Sequence, residues 1–481
     1  MKSMKLRGVM AAVSGALLMG IGANAMADSS DDLLQALIAK GVLTEEEGAQ
    51  LLKGREVEKQ SKSSEIKAKF KDGIMFESAD GQHSMAVEGR AHFDYHNFSG
   101  YSESSNPATS NIADNFEFRR ARIGVKGKFY NDYTYEIQTN LLGSNTNTID
   151  QAWLNVGWWK EAQFKFGRYK TPFGLEKMTS SNNIDFAERS FVNQLAPNEK
   201  LGAMIWGEPV AGVIYQANVF QNDFSEADNK TNDLFVGGRV AANIAKMAGW
   251  NDAVLHIGAA GFSGEYGVAA TSAAPASVVS FRTEPRGLAN IFRARLGGAG
   301  ATTTDAAVQQ DTGALELAAA YGPFKLQGEY AKASYDAKHV AANSKVSGDV
   351  DAWYVEALWL MTGESYADTY KEGAWGAIKP KNEFVHPGAI GSGAYGAWEL
   401  GIRYSEFDAS DIAIKQASAG TSLTDNAKAQ AYTGGIKWIL NPNVRFLLNY
   451  TRTNYDQPIT VATGVSSDHE DALTLRGQLN F

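Results

Sequence analysis

From Met85 onward apolar and polar residues alternate with period two, the spacing that sends successive side chains to opposite faces of a strand. Met85, Val87, Ala91, Phe93 and Tyr95 share one face, while Glu88, Arg90, His92 and Asp94 share the other. Tyr133, Tyr135, Ile137 and Leu141 oppose Thr134, Glu136, Gln138 and Asn140. The pattern recurs at Ala211–Val219, at Trp398–Tyr404 and at Val444–Thr451. It closes the chain, where Leu473, Leu475, Leu479 and Phe481 face away from Thr474, Arg476, Gln478 and Asn480. Isolated charges are too costly in a dry interior, so the polar face is expected to meet water and the apolar face lipid.

About fifteen or sixteen such segments can be counted, and since an envelope barrel favours an even number, about 16 is expected, a size that encloses an aqueous channel. The expectation is an all-β fold: a 16-stranded antiparallel transmembrane β-barrel with a short helical N-terminal extension. Asn131-Asp132 and Asn441-Pro442-Asn443 read as tight turns, whereas residues 171–200, 266–311 and 362–394 read as long connections. Short turns at one end and long loops at the other are the outer-membrane arrangement. Trp158-Trp159, Trp353-Tyr354 and Trp359 near segment ends suit interfacial aromatic belts.

The first residues follow another pattern. Lys2, Lys5 and Arg7 precede the apolar stretch Val9–Ile21, too short to span a bilayer, and Ala25-Met26-Ala27 offers a small-x-small cleavage site. Residues 1–27 therefore read as a signal peptide cleaved after Ala27. Residues 28–65 read as a periplasmic extension: Leu33, Leu34, Leu37 and Ile38 have helical spacing, and Thr44 with Glu47 forms a capping-box signature. A polar run, Glu56–Ser64, follows, and residues 66–481 are assigned to the barrel. A short trimerising coil is the alternative reading, although two interrupted helical turns fall below the three or four heptads such a coil calls for.

Composition narrows the function. With no cysteine, disulfides and thiolate metal sites are excluded. Without the three signal-region cations, 42 Lys+Arg stand against 54 Asp+Glu, a formal −12 that argues against nucleic acid as a partner. The seven histidines show no metal-ligand spacing, and neither a nucleophile elbow nor a P-loop is present. No catalytic set, metal or cofactor is expected, although a barrel hydrolase with a non-local triad is the enzymatic alternative.

The strongest chemical signal is cationic. Phe118-Arg119-Arg120-Ala121-Arg122 opens a strand, and adjacent arginines point to opposite faces unless a bulge intervenes, so at least one enters the lumen. Ordinary lumen salt bridging accounts for such residues almost as well as anion selectivity does.

The run FRRARIGVKGKFYNDYTYEIQTNLL, then IDQAWLNVG, KFGRYKTPFGLEKMTSS and FAERS, resembles the phosphate-selective porin O/P family most strongly over residues 83–200. The resemblance implies a homotrimeric channel of the bacterial outer membrane, in contact with its lipid and lipopolysaccharide, passing small inorganic anions. It implies an anion track through Arg119, Arg120, Lys177 and Arg189, with Asp150 as an acidic partner. It also implies an extracellular arginine ladder, with Arg282, Arg286, Arg293 and Arg295 as candidates. Arg122 and Lys170 stand where the family's phosphate porin has tyrosines, and Thr134 stands where it has lysine; the added charge suits pyrophosphate or polyphosphate as well as phosphate. A general diffusion porin and a structural or adhesion barrel are the alternatives.

Overall fold

The computed structural model describes residues 44, 46, 66–70, 73–100, 113–142, 149–221, 234–268, 276–288, 291–296, 306–339, 344–386, 388, 393–416, 427–462 and 465–481. The expected signal peptide lies outside these residues, as does the 28–65 extension apart from Thr44 and Glu46.

Residues 66–481 form one compact unit. Its wall consists of β1 (Ser84–Ser99), β2 (Asn115–Phe129), β3 (Tyr133–Asn140), β4 (Ile149–Trp159), β5 (Ala162–Lys170) and β6 (Glu199–Val210). It continues through β7 (Val213–Gln221), β8 (Leu234–Asn243), β9 (Ala253–Val268), β10 (Ala306–Tyr321) and β11 (Phe324–His339). The last strands are β12 (Ser344–Leu360), β13 (Ala397–Asp408), β14 (Lys428–Ile439), β15 (Val444–Ala462) and β16 (Val465–Asn480). Each pairs antiparallel with its neighbours, and β16 pairs with β1 from Asp471↔Ser99 to Asn480↔Arg90. The sheet is therefore a closed barrel of sixteen strands, as the alternation predicts. A two-stranded ribbon, Ile66–Phe70 with Ile74–Ser78, adds to the first residues of β1.

The chain terminus performs the closure. Gly89 donates its N–H to the Phe481 carbonyl at 2.8 Å, and Phe481 returns a bond of 3.0 Å. A Cβ at Gly89 would lie 2.3 Å from the Phe481 ring, so the aromatic cap needs glycine beneath it.

Along β1 and β16 the faces separate as the pattern requires. Phe93, Leu473, Leu475 and Leu479 are exposed on the outer wall, whereas His92, Asp94, Thr474, Arg476 and Gln478 are buried inside. Trp158, Trp159, Trp250, Tyr321, Phe324 and Trp359 form an outer belt at the turn end. Tyr330, Trp353, Tyr404, Tyr432 and Tyr450 form a second belt nearer the loop end. Tyr354 does not belong to a belt: its parity turns it inward, where its hydroxyl donates to Glu329 at 2.6 Å. At the turn between β2 and β3, Tyr130 and Asn131 take φ of 50° and 62°, the left-handed geometry of a tight hairpin.

Two sequence expectations need correction. The connection 361–396 lies at the turn end, because it follows β12 and precedes β13 in strictly alternating strands. It reaches into the lumen: Trp375 Nε1 donates to Gln327 Oε1 at 2.5 Å, and Gly373 O accepts from Arg239 Nη2 at 2.7 Å. Nor is the inner wall wet throughout. Phe191, Phe281, Phe292 and Phe407 pack into an apolar cluster inside the barrel, with Phe281 stacked on Phe407 at 4.2 Å. The loop-end segments 171–198 and 276–296 cover that wall, so its apolar inner residues are buried rather than hydrated.

Candidate functional site

The connection between β5 and β6, residues 171–198, turns inward and is tied to the wall all round. The FGLEK segment builds its first bend. Phe173 is buried against Phe262, and Gly174 takes φ 70° with Glu329 so close that a Cβ would lie 2.5 Å from its carboxylate. That carboxylate accepts the N–H groups of Leu175 (2.9 Å) and Glu176 (2.6 Å), which open the one-turn helix α1 (Leu175–Met178). Farther along, Lys325 grips Asp185 with two bonds of 2.7 Å, and Asn449 Oδ1 accepts the Ala187 N–H at 2.7 Å. Gln478 donates to Asn182 O at 3.0 Å, and Arg403 donates to Glu188 O at 3.1 Å. Buried groups paired at so many points hold a loop in one place.

Between this loop and the wall formed by β1, β2, β4 and β5 lies a polar cavity of about 200 Å³. Eight cations line it: Arg90, Arg119, Arg120, Arg122, Lys170, Lys177, Arg189 and Arg282. Only three carboxylates, Glu188, Glu199 and Glu284, share the lining. Such an excess in a narrow, partly desolvated passage favours anions over cations.

The paired arginines both belong to it. The β1–β2 register shifts between His92 and Phe93, so Arg119 is an extra residue and Arg120 re-enters register opposite His92. The bulge turns both side chains inward, and Arg122 follows on the same face. Arg119 holds the Glu188 carboxylate in a fork of 2.6 and 2.9 Å. Arg122 Nη1 donates to Asp150 Oδ2 at 2.6 Å.

Lys170 donates to the carbonyls of Met178 (3.2 Å) and Thr179 (3.4 Å). Lys177 lies 3.3 Å from Asn198 Oδ1 and 4.0 Å from Glu199 Oε1. Arg189 donates to the carbonyls of Glu176 (3.0 Å) and Thr179 (2.7 Å), bracing the loop while its charge borders the cavity. Burial pushes the Lys177 ammonium and the Arg189 guanidinium below their ordinary pKa values. Burial raises the Glu188 carboxyl, but Arg119, Arg120 and Arg476 outweigh it and hold the group well below the usual carboxylate range.

The arginines of the 266–311 segment part company. Arg282 lines the cavity, and Arg286 Nη1 lies 3.8 Å from Glu117 Oε1. Arg293 and Arg295 sit on the half-buried side of a hairpin, Ala276–Phe281 with Phe292–Leu296, whose other side buries Phe292, Ala294 and Leu296. Sequence reasoning missed Arg90, Glu188, Glu199 and Glu284 as cavity residues. Arg90 was legible as an inward strand position and Glu188 lay in the FAERS segment, but nothing local marked Glu199 or Glu284.

Toward the turn end lies a second cavity of about 340 Å³ that shares Arg90, Gln151, Lys170 and Ser180 with the first. Lys165 stands there over the Trp153 ring, 4.1 Å from its centroid. Polar lining thus continues on the β1–β6 side although the connection 361–396 fills part of the lumen.

The sequence profile of the family "Phosphate-selective porin O and P" matches residues 85–481. Porin O of Pseudomonas aeruginosa is 27% identical over 438 residues, covering 87% of this chain and 93% of that protein. Among solved structures, an anion-selective porin from Comamonas acidovorans aligns at 11% identity and TM-score 0.47, over 83% of this chain and 100% of that one. The outer membrane channel DcaP of Acinetobacter baumannii aligns at 11% identity and TM-score 0.48, over 84% and 99%.

Proposed function

This chain belongs to the phosphate-selective porin O and P family, an outer-membrane porin rather than an enzyme, and from that premise we propose that it passes phosphate, pyrophosphate or polyphosphate passively through the cavity between loop 171–198 and β1–β5. The observation that carries this reading is the lining of eight cations against three carboxylates.

A dianion entering so narrow a passage sheds water, and charge-assisted hydrogen bonds from Arg and Lys replace it. Arg119, Arg120 and Arg122 offer guanidinium forks, whereas Lys177 and Lys170 act as point charges. Asp150, by engaging Arg122, weakens the grip enough for release. Arg189 and Arg282 extend the row toward the loop end. The homotrimer and the contact with lipopolysaccharide belong to the same reading.

A general diffusion porin predicts no block by phosphate, and an adhesion barrel predicts no conductance. Titrating phosphate and pyrophosphate as blockers of the purified protein in planar bilayers separates the three. Block that weakens in Lys177→Ala supports the reading; chloride current untouched by either anion refutes it.

A further inference from the structure

At the loop side of the constriction three guanidinium groups converge on a single carboxylate. Glu188 receives Arg119 Nε at 2.6 Å and Nη2 at 2.9 Å, Arg476 Nη2 at 2.9 Å, and lies 3.9 Å from Arg120 Nη1. Its backbone is pinned on both sides. Ala187 N–H donates to Asn449, Ala187 O accepts from Arg476, and Glu188 O accepts from Arg403. The loop therefore cannot carry the carboxylate away, and only rotation of the Glu188 side chain releases the arginines.

Resting on the reading above, we propose that Glu188 is a resident counter-ion: its carboxylate occupies an anion seat in the constriction, and a passing oxyanion is held there only by displacing or sharing it. A guanidinium fork accepts a carboxylate and a phosphate oxygen pair with the same geometry, so the two compete for the same donors. The competition has a use. Without Glu188, Arg119 and Arg120 stand unopposed beside Arg476 and make a deep trap, and a channel conducts only if its sites release what they bind. Asp94 lowers the charge further, gripping Arg476 with bonds of 2.7 and 2.6 Å, which leaves Glu188 shared mainly among Arg119, Arg120 and one nitrogen of Arg476. Glu188 thus tunes residence time. It is a specificity-setting residue rather than a mere brace between loop and wall.

The test compares wild type, Glu188→Gln and Glu188→Asp in planar bilayers, with inorganic phosphate titrated against the chloride current. Glu188→Gln keeps the shape and one acceptor but removes the charge. Phosphate then blocks at about ten-fold lower concentration, the change expected from freeing one charge-assisted hydrogen bond. Glu188→Asp keeps the charge but withdraws it by one methylene, giving an intermediate block constant even if the glutamine variant does not insert. Unchanged block constants in both variants, with altered current noise or heat stability alone, mark a structural brace and overturn the inference. Absence of phosphate block in the wild type refutes the functional reading itself, and the inference falls with it.

Discussion

Arg119 and Arg120 are neighbours in the chain, yet both side chains enter the lumen, because Arg119 is the extra residue of a bulge opposite the His92–Phe93 step. In regular pairing one of them would point into lipid. Substituting either arginine by alanine should therefore shift the zero-current potential in a KCl gradient toward cations. Normal anion preference in one of the two variants would place that side chain outside the passage.

Arg122 and Asp150 form the closest ion pair between the second and fourth strands, at 2.6 Å. Asp150→Asn frees the guanidinium while preserving size and hydrogen-bonding capacity. Phosphate block should tighten about ten-fold, the scale of one charge-assisted contact in a polar site. Arg122→Ala should act in the opposite direction. The pair of titrations checks the sign.

Lys177 supplies a pH dependence. Burial lowers its pKa, so its charged form fades as pH rises at lower pH than the ~10.4 of an unperturbed lysine. Phosphate block should weaken on moving into the alkaline range before ordinary lysines titrate, and Lys177→Arg should lessen that decline. Glu188, shifted down, stays ionised over the same range, since its charge is lost only as pH falls through its lowered pKa.

Trp375 anchors the turn-side insertion. Its indole N–H donates to Gln327, and Lys325 Nζ lies 4.7 Å from its ring. Trp375→Ala removes a buried aromatic, a change that costs about 3–5 kcal/mol in a packed core. Loosening this insertion should raise single-channel conductance and lower anion preference, with heat-induced unfolding occurring earlier. Unaltered conductance would show that the filled half of the lumen is shut by other contacts.

Alternation was readable because lipid and water impose it on nearly every strand, and the Phe481 closure follows from the same rule. Loop 171–198 was legible through its length and the FGLEK segment, whose glycine and apolar anchors make a bend. The bulge at Arg119 was not, because Arg-Arg-Ala-Arg carries no mark of which residue is extra. The insertion of 361–396 from the turn end was hidden for a related reason: one miscounted strand reverses the side of every later connection. Glu188 lay in the FAERS segment, but its role was hidden because it arises from Arg119 and Arg476, 69 and 288 residues away.

The account rests above all on the positive lining of the passage. The most direct test is the zero-current potential of the purified protein in a planar bilayer under a KCl gradient at neutral pH. A potential of the sign set by chloride is expected, growing smaller as arginines of the lining are replaced. A potential near zero, or one set by potassium, would contradict the account.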